Sequence, residues 1–270
     1  MKSKAKYVCL LLAISFIYTA CKKTVTRPGN SPFNAADFSR QLAVNLYKSL
    51  SGQYGGADIN DGIKSPLEIT SPGHKGLRVN GVNPYCGLTI DTTYSTSETV
   101  ADSLKNYYTR YKFTYGCDNG LLDSYSLQDS VINTVTYRQY KAVYKLTQFY
   151  NVKAVDQTYK ASSVLGSISF SSHIDVNTDK GVQYQHIDSF YALQGVIVDI
   201  STGTADVTRG SADINGVFQY KDVIYDVNNT ITGSIDFLGG HMSKVTLHVS
   251  DGSGGYIFLV NMLTGSVTKG

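Results

Sequence analysis

Two short stretches carry the residue types that most readily do chemistry. His173-Ile174-Asp175 and His186-Ile187-Asp188 repeat one pattern, an imidazole and a carboxylate two residues apart. On a strand, that spacing puts both side chains on one face. Two histidines and two aspartates on neighbouring strands are a donor set for zinc or a similar divalent ion. Register decides whether they meet. A plain two-residue turn at Asp179-Lys180 sets His173 opposite His186, with all four side chains on one face. A bulged turn using Gly181 pairs Val182 with Thr178 and sets His186 opposite Ile174. The bulged form also aligns Val176 with Tyr184 and Phe170 with Phe190, so apolar pairing favours it. In that register the four residues separate, and no metal or other cofactor is expected.

Other chemistry is sparse. G-x-S-x-G, H-E-x-x-H and the glycine-rich phosphate loops are missing, so the expectation is a non-catalytic protein. Asp58-Ile59-Asn60-Asp61-Gly62 approaches a calcium loop, but its glycine comes one position early and Ile69 stands where glutamate belongs. Tyr107, Tyr111, Phe113, Tyr115 and Tyr125 share strand faces, as a core or as an aromatic platform for an apolar or sugar ligand. Lys141, Lys145 and Lys153 fall on one strand face and read as solvated. Cys86 and Cys117 form an even pair, expected to close a disulfide in an oxidising compartment.

The chain begins with Lys2, Lys4 and Lys6. The uncharged run Tyr7 to Ala20 follows, and Cys21, Lys22 and Lys23 end it. The run is shorter than the about 20 apolar residues of a spanning helix and suits a signal peptide. Tyr18-Thr19-Ala20-Cys21 resembles the lipobox of bacterial lipoproteins, with tyrosine in place of the usual leucine. With Lys22-Lys23 and a body rich in Tyr, Asn and Thr, the chain is similar to lipoproteins of the Bacteroidota. The resemblance implies cleavage before Cys21 and acylation of that cysteine, palmitate among the chains. The protein would then be held in a bacterial, outer-membrane envelope. Surface-exported lipoproteins of that group carry acidic residues after the cysteine, so the lysines here favour the periplasmic side. Asp91-Thr92-Thr93, Asp102-Ser103-Leu104 and Asp129-Ser130-Val131 resemble the short O-glycosylation motif of the same group.

The formal charge of +3 belongs to the three signal lysines, which leaves a neutral mature chain with no footprint for nucleic acid. Residues 1–20 read as the signal peptide and 21–33 as the lipidated N-terminus and tether. Residues 34–270 read as one β-rich domain: 34–51 helix, 52–87 irregular, 88–270 strands. Asn34 caps the helix, where Phe38, Leu42, Leu46 and Leu50 recur every four residues. Glu68 and Glu98 are the only glutamates among 21 acidic residues, and no proline follows Pro84. Both facts suit long paired strands.

The fold expected is mainly β: an antiparallel meander, sandwich or open barrel with one N-terminal helix packed on it. Strands are expected over 138–158, 163–177, 181–200, 203–209, 212–227, 230–238, 243–250 and 255–263. Val227-Asn228-Asn229-Thr230 reads as a turn. A three-residue loop, Asp118-Asn119-Gly120, would set Cys117 opposite Leu121, Phe113 opposite Tyr125 and Tyr111 opposite Leu127. The functional expectation is an envelope lipoprotein with a binding or scaffolding role for a protein, glycan or lipid partner. The alternatives are a carrier of a hydrophobic ligand and a glycan-binding or carbohydrate-active module.

Overall fold

The computed structural model describes residues 33–51, 53, 85–100, 102–201, 204–252 and 254–270. The lipobox, the tether as far as residue 32 and the calcium-like Asp58–Ile69 stretch lie outside the described residues, whereas Phe33, the last residue assigned to the tether, is buried in the core. Helix α1, Ala35–Leu50, begins where Asn34 Oδ1 accepts from the backbone N–H groups of Ala36 and Asp37. That cap satisfies donors the first turn leaves without partners. Eleven strands follow: β1 Thr89–Val100, β2 Ser103–Asp118, β3 Leu121–Tyr137, β4 Tyr140–Ala154, β5 Ala161–Thr178, β6 Gly181–Asp199, β7 Asp206–Lys221, β8 Asp226–Gly239, β9 Met242–Val249, β10 Gly254–Asn261 and β11 Val267–Lys269. Each pairs antiparallel with its sequence neighbour, in the order β1 to β11, and the sheet does not close into a barrel.

The helix packs on the inner face of this sheet, against β5 and β9 to β11. Leu42, Ala43, Leu46 and Leu50 are buried against Ile168, Tyr191, Ile214, Ile235 and Leu247 in one apolar cluster. Phe33 and Phe38 close on Phe218, with ring centroids 5.4 and 5.9 Å away. Three polar contacts fix the helix against the strands. Tyr191 Oη donates to the Leu42 carbonyl (3.2 Å), Tyr47 Oη to the Ala205 carbonyl (3.2 Å) and Gln148 Nε2 to the Ser49 carbonyl (2.6 Å). A Cβ added at Gly265, before β11, would lie against Arg40 and Val44. Burial fades toward the N-terminal edge: all 12 residues of β1 are exposed.

Several expectations are corrected. Residues 206–221, divided by expectation between the 203–209 and 212–227 segments, form one strand, β7. Val227–Thr230 lies inside β8. The turn falls earlier, where Asp222 Oδ1 accepts from the N–H groups of Ile224 and Tyr225. The β2–β3 turn is the two-residue Asn119-Gly120, with φ of 49° and 77°, a primed turn that matches strand twist. A register shift at Gly116/Cys117 follows, so Cys117 faces Leu122, Phe113 faces Leu127 and Tyr111 faces Asp129.

The β5–β6 register is also corrected. Asp179-Lys180 forms a two-residue turn, Thr178 pairs with Gly181, and His173 stands opposite His186. The core explains why. Ile187, Tyr191 and Leu193 point inward and are buried, while Phe190 stays exposed outside. A slip of one residue would exchange those faces, and the apolar pairs near the turn are too few to offset that loss.

Candidate functional site

Two surfaces carry the residues singled out in the sequence, one on each side of the sheet. The outer one holds the histidines. With His173 opposite His186, the next positions place Ser171 opposite Asp188 and Asp175 opposite Tyr184. His173 Nε2 lies 3.0 Å from both oxygens of Asp188, and His186 Nε2 lies 2.8 Å from Asp175 Oδ1. The imidazoles stack at 4.4 Å, and Tyr184 stacks on His186 at 4.7 Å. Ser171 Oγ donates to Asp188 Oδ1 (2.5 Å) and sits 3.1 Å from His173 Nε2.

The structure therefore brings together the four residues that the favoured register had separated. Their geometry is two crossed His–Asp pairs rather than one donor cage. Each Nε2 faces a different carboxylate. Among the described residues no three His, Cys, Asp or Glu side chains group to hold a metal ion. The serine does not complete a hydrolytic triad. A relay needs the hydroxyl and the carboxylate on opposite nitrogens of the ring, whereas Ser171 and Asp188 both meet Nε2 of His173. With His173 and Asp188 side chains 37% and 51% exposed, this pair contributes at most about 1 kcal/mol. Ser171 and Tyr184 were missed in the sequence, although each stands two residues before a histidine and shares its face.

The inner surface holds the aromatic row. Tyr111, Phe113 and Tyr115 lie on successive inward positions of β2, and Tyr125 lies across from Tyr115 on β3. Phe113 packs 4.6 Å from both Tyr115 and Tyr125, and Tyr107 meets Tyr94 of β1 at 6.2 Å. Tyr125 is buried, but Tyr107, Tyr111, Phe113 and Tyr115 are only half-buried. Asp129, read from sequence as part of a modification motif, points into this row. It is 2% exposed, and its Oδ1 accepts from Thr109 Oγ1 at 3.3 Å. Burial, with Asp129 second, raises the Tyr107 hydroxyl above its ordinary pKa. Burial also raises that of Tyr115. The row is thus an aromatic surface with hydroxyl rims and the buried Asp129 carboxyl set within it.

On the outer face of the same strands a shallow depression of about 380 Å³ is lined by Ser95, Ser97, Asn106, Tyr108, Ile132 and Thr134. Lys141, Lys145 and Lys153 are exposed on that face, and Lys153 pairs with Asp123 at 3.4 Å. The remaining predicted pair is formed: Cys86 and Cys117 are bonded, with S–S 2.07 Å, and tie the segment before β1 to the end of β2. Cys21 lies outside the described residues. In comparisons with known proteins, no family model, no curated protein and no solved structure matches the chain.

Proposed function

We propose that this chain is a lipid-anchored protein of a bacterial cell envelope, acylated at Cys21, with a binding or scaffolding role rather than a catalytic one. The observation that carries the binding role is the ledge formed by β1 and β2. Toward the opposite edge, α1 packs on β5 and on β9 to β11. Here all 12 residues of β1 are exposed, and the aromatic row of β2 is half-covered. A strand that buries none of its side chains gains little from the hydrophobic effect to offset the entropy of ordering it. An ordered, uncovered ledge with an aromatic inner face is a surface suited to contact with something else. The anchor is supported by the resemblance of Tyr18-Thr19-Ala20-Cys21 to a lipobox and by the charge pattern around it.

A second reading, a carrier of a hydrophobic ligand, is favoured by the same aromatic row, because the open sheet leaves it accessible beside the helix. Native mass spectrometry of protein extracted from membranes without reductant tests both readings. The binding reading expects the mass of the chain from Cys21, plus acyl chains, minus two hydrogens for the Cys86–Cys117 bond. A stoichiometric co-purifying lipid would move the assignment to the carrier. An unmodified Cys21 on an uncleaved chain would overturn the anchor.

A further inference from the structure

The two edges of the sheet are unlike. The β11 edge is three residues long. The β1 edge is 12 residues long and pairs with β2 without a register shift. Its sequence, TIDTTYSTSETV, holds no proline, glycine, lysine or arginine. Those residues, bulges and short length are the devices that keep edge strands from pairing with other chains. The charges present are Asp91, which meets Arg110 at 3.8 Å, and Glu98, whose cross-strand neighbour is Lys105.

The free hydrogen-bonding groups can be assigned by counting. The Leu88 carbonyl accepts from the Tyr115 N–H, and antiparallel pairs alternate in twos. Even-numbered residues of β1 therefore turn their N–H and C=O groups to β2. Thr89, Asp91, Thr93, Ser95, Ser97 and Thr99 turn theirs to the open side. We propose that this open side pairs antiparallel with β1 of a second copy of the chain, joining two sheets about a two-fold axis at Ser95.

The strand is complementary to itself in that register. Ile90 faces Val100 of the other copy, Thr93 faces Ser97, Asp91 faces Thr99 and Thr92 faces Glu98. Apolar ends meet, hydroxyl side chains meet, and no carboxylate faces a carboxylate. Because the axis runs through the sheet, inner faces stay on one side, and Tyr94 of each copy stands opposite Thr96 of the other. An unrelated strand would need pockets for alternate side chains to be selected. Outside Ile90, Tyr94 and Val100, β1 offers only small hydroxyls and two acids. The contact is isologous and uses the one long free edge among the described strands of each copy, so it closes as a dimer rather than a fibre. The inference deepens the binding reading by naming a second copy as a partner, and it does not require the lipid anchor.

The test uses the mature chain with Cys21→Ser and the Cys86–Cys117 bond intact, examined by analytical ultracentrifugation across the micromolar range. A dimer is expected. Ser95→Pro removes an outward-facing donor and leaves the β1–β2 ladder its bonds. Thr93→Lys with Ser97→Lys sets lysine opposite lysine across the axis. Both variants should be monomeric wherever the parent is dimeric, with unchanged circular dichroism. Ser95→Cys should cross-link between copies on oxidation, and Thr99→Cys should not. A parent that is monomeric throughout overturns the proposal. So does a dimer that survives the double lysine variant and fails to cross-link through Ser95→Cys. Either result leaves acylation of Cys21 untouched, and an unmodified Cys21 in the membrane-extracted protein would leave this result untouched.

Discussion

Tyr220 shows how one residue can report on the fold. Its hydroxyl is held up at about 12, first by partial burial and then by donation to Asp222 Oδ2 at 2.9 Å. The folded state therefore holds this proton more tightly than the unfolded chain, where a tyrosine releases it near 10. Stability from this group is complete below pH 10 and is lost as pH rises through 12. Thermal melts from pH 9 upward should fall more steeply for the parent than for Tyr220→Phe. Equal slopes would show that Tyr220 is not held in this way. At this scale the sequence was readable in part. Cys86 and Cys117 were assigned from count and compartment, and the histidine doublet from residue type. Whether His173 met His186 turned on one residue of register. Apolar pairing near the turn pointed to the wrong register because Tyr191 and its inward neighbours, far along β6, decide which face is buried.

Elements differ in how local their causes are. Helix α1 was legible to its ends because its signals sit within it: Asn34 before the first turn and a leucine every fourth residue. The same features make it sensitive. Leu42 is 1% exposed beneath Tyr191, and Leu42→Ala should cost about 2–5 kcal/mol in urea unfolding. Asn34→Ala should cost about 0.5–2 kcal/mol, and a loss equal to that of Leu42→Ala would mean that Asn34 does more than cap the helix. Strand boundaries were nearly as legible, since turn residues and period-two patterns are local too. The joining of 203–209 with 212–227 was not, because Gly210 reads as a break. In the structure it has a φ of 101°, and an added Cβ would press on the Gly195–Val196 backbone of β6. There the glycine permits close approach within a continuous strand.

At the scale of the molecule, composition announced a proline-poor sheet, and the meander follows from short turns. That the sheet stays open, curling over the helix and leaving a ledge, was not written in any segment. It depends on how far α1 reaches across the inner face. The gradient of burial predicts a gradient of protection. Amides of β1 that face the open edge should exchange with solvent first, and those of β6 to β8 last. Hydrogen–deuterium exchange comparing residues 89–100 with 187–198 measures this at low concentration, and uniform protection would contradict the ledge. The aromatic row was seen in sequence as either core or platform. It is half of each, because the cover ends between its strands.

The helix and the final strands lie at opposite ends of the described chain, yet Tyr47 meets His241 with ring centroids 5.9 Å apart, and α1 packs on β9, β10 and β11. Among the described elements, the first is completed by the last. A chain delivered N-terminus first would carry Leu42 and Leu46 only partly shielded until β9 and β10 arrived. The cover of the helix would then be completed only with the later strands of the sheet.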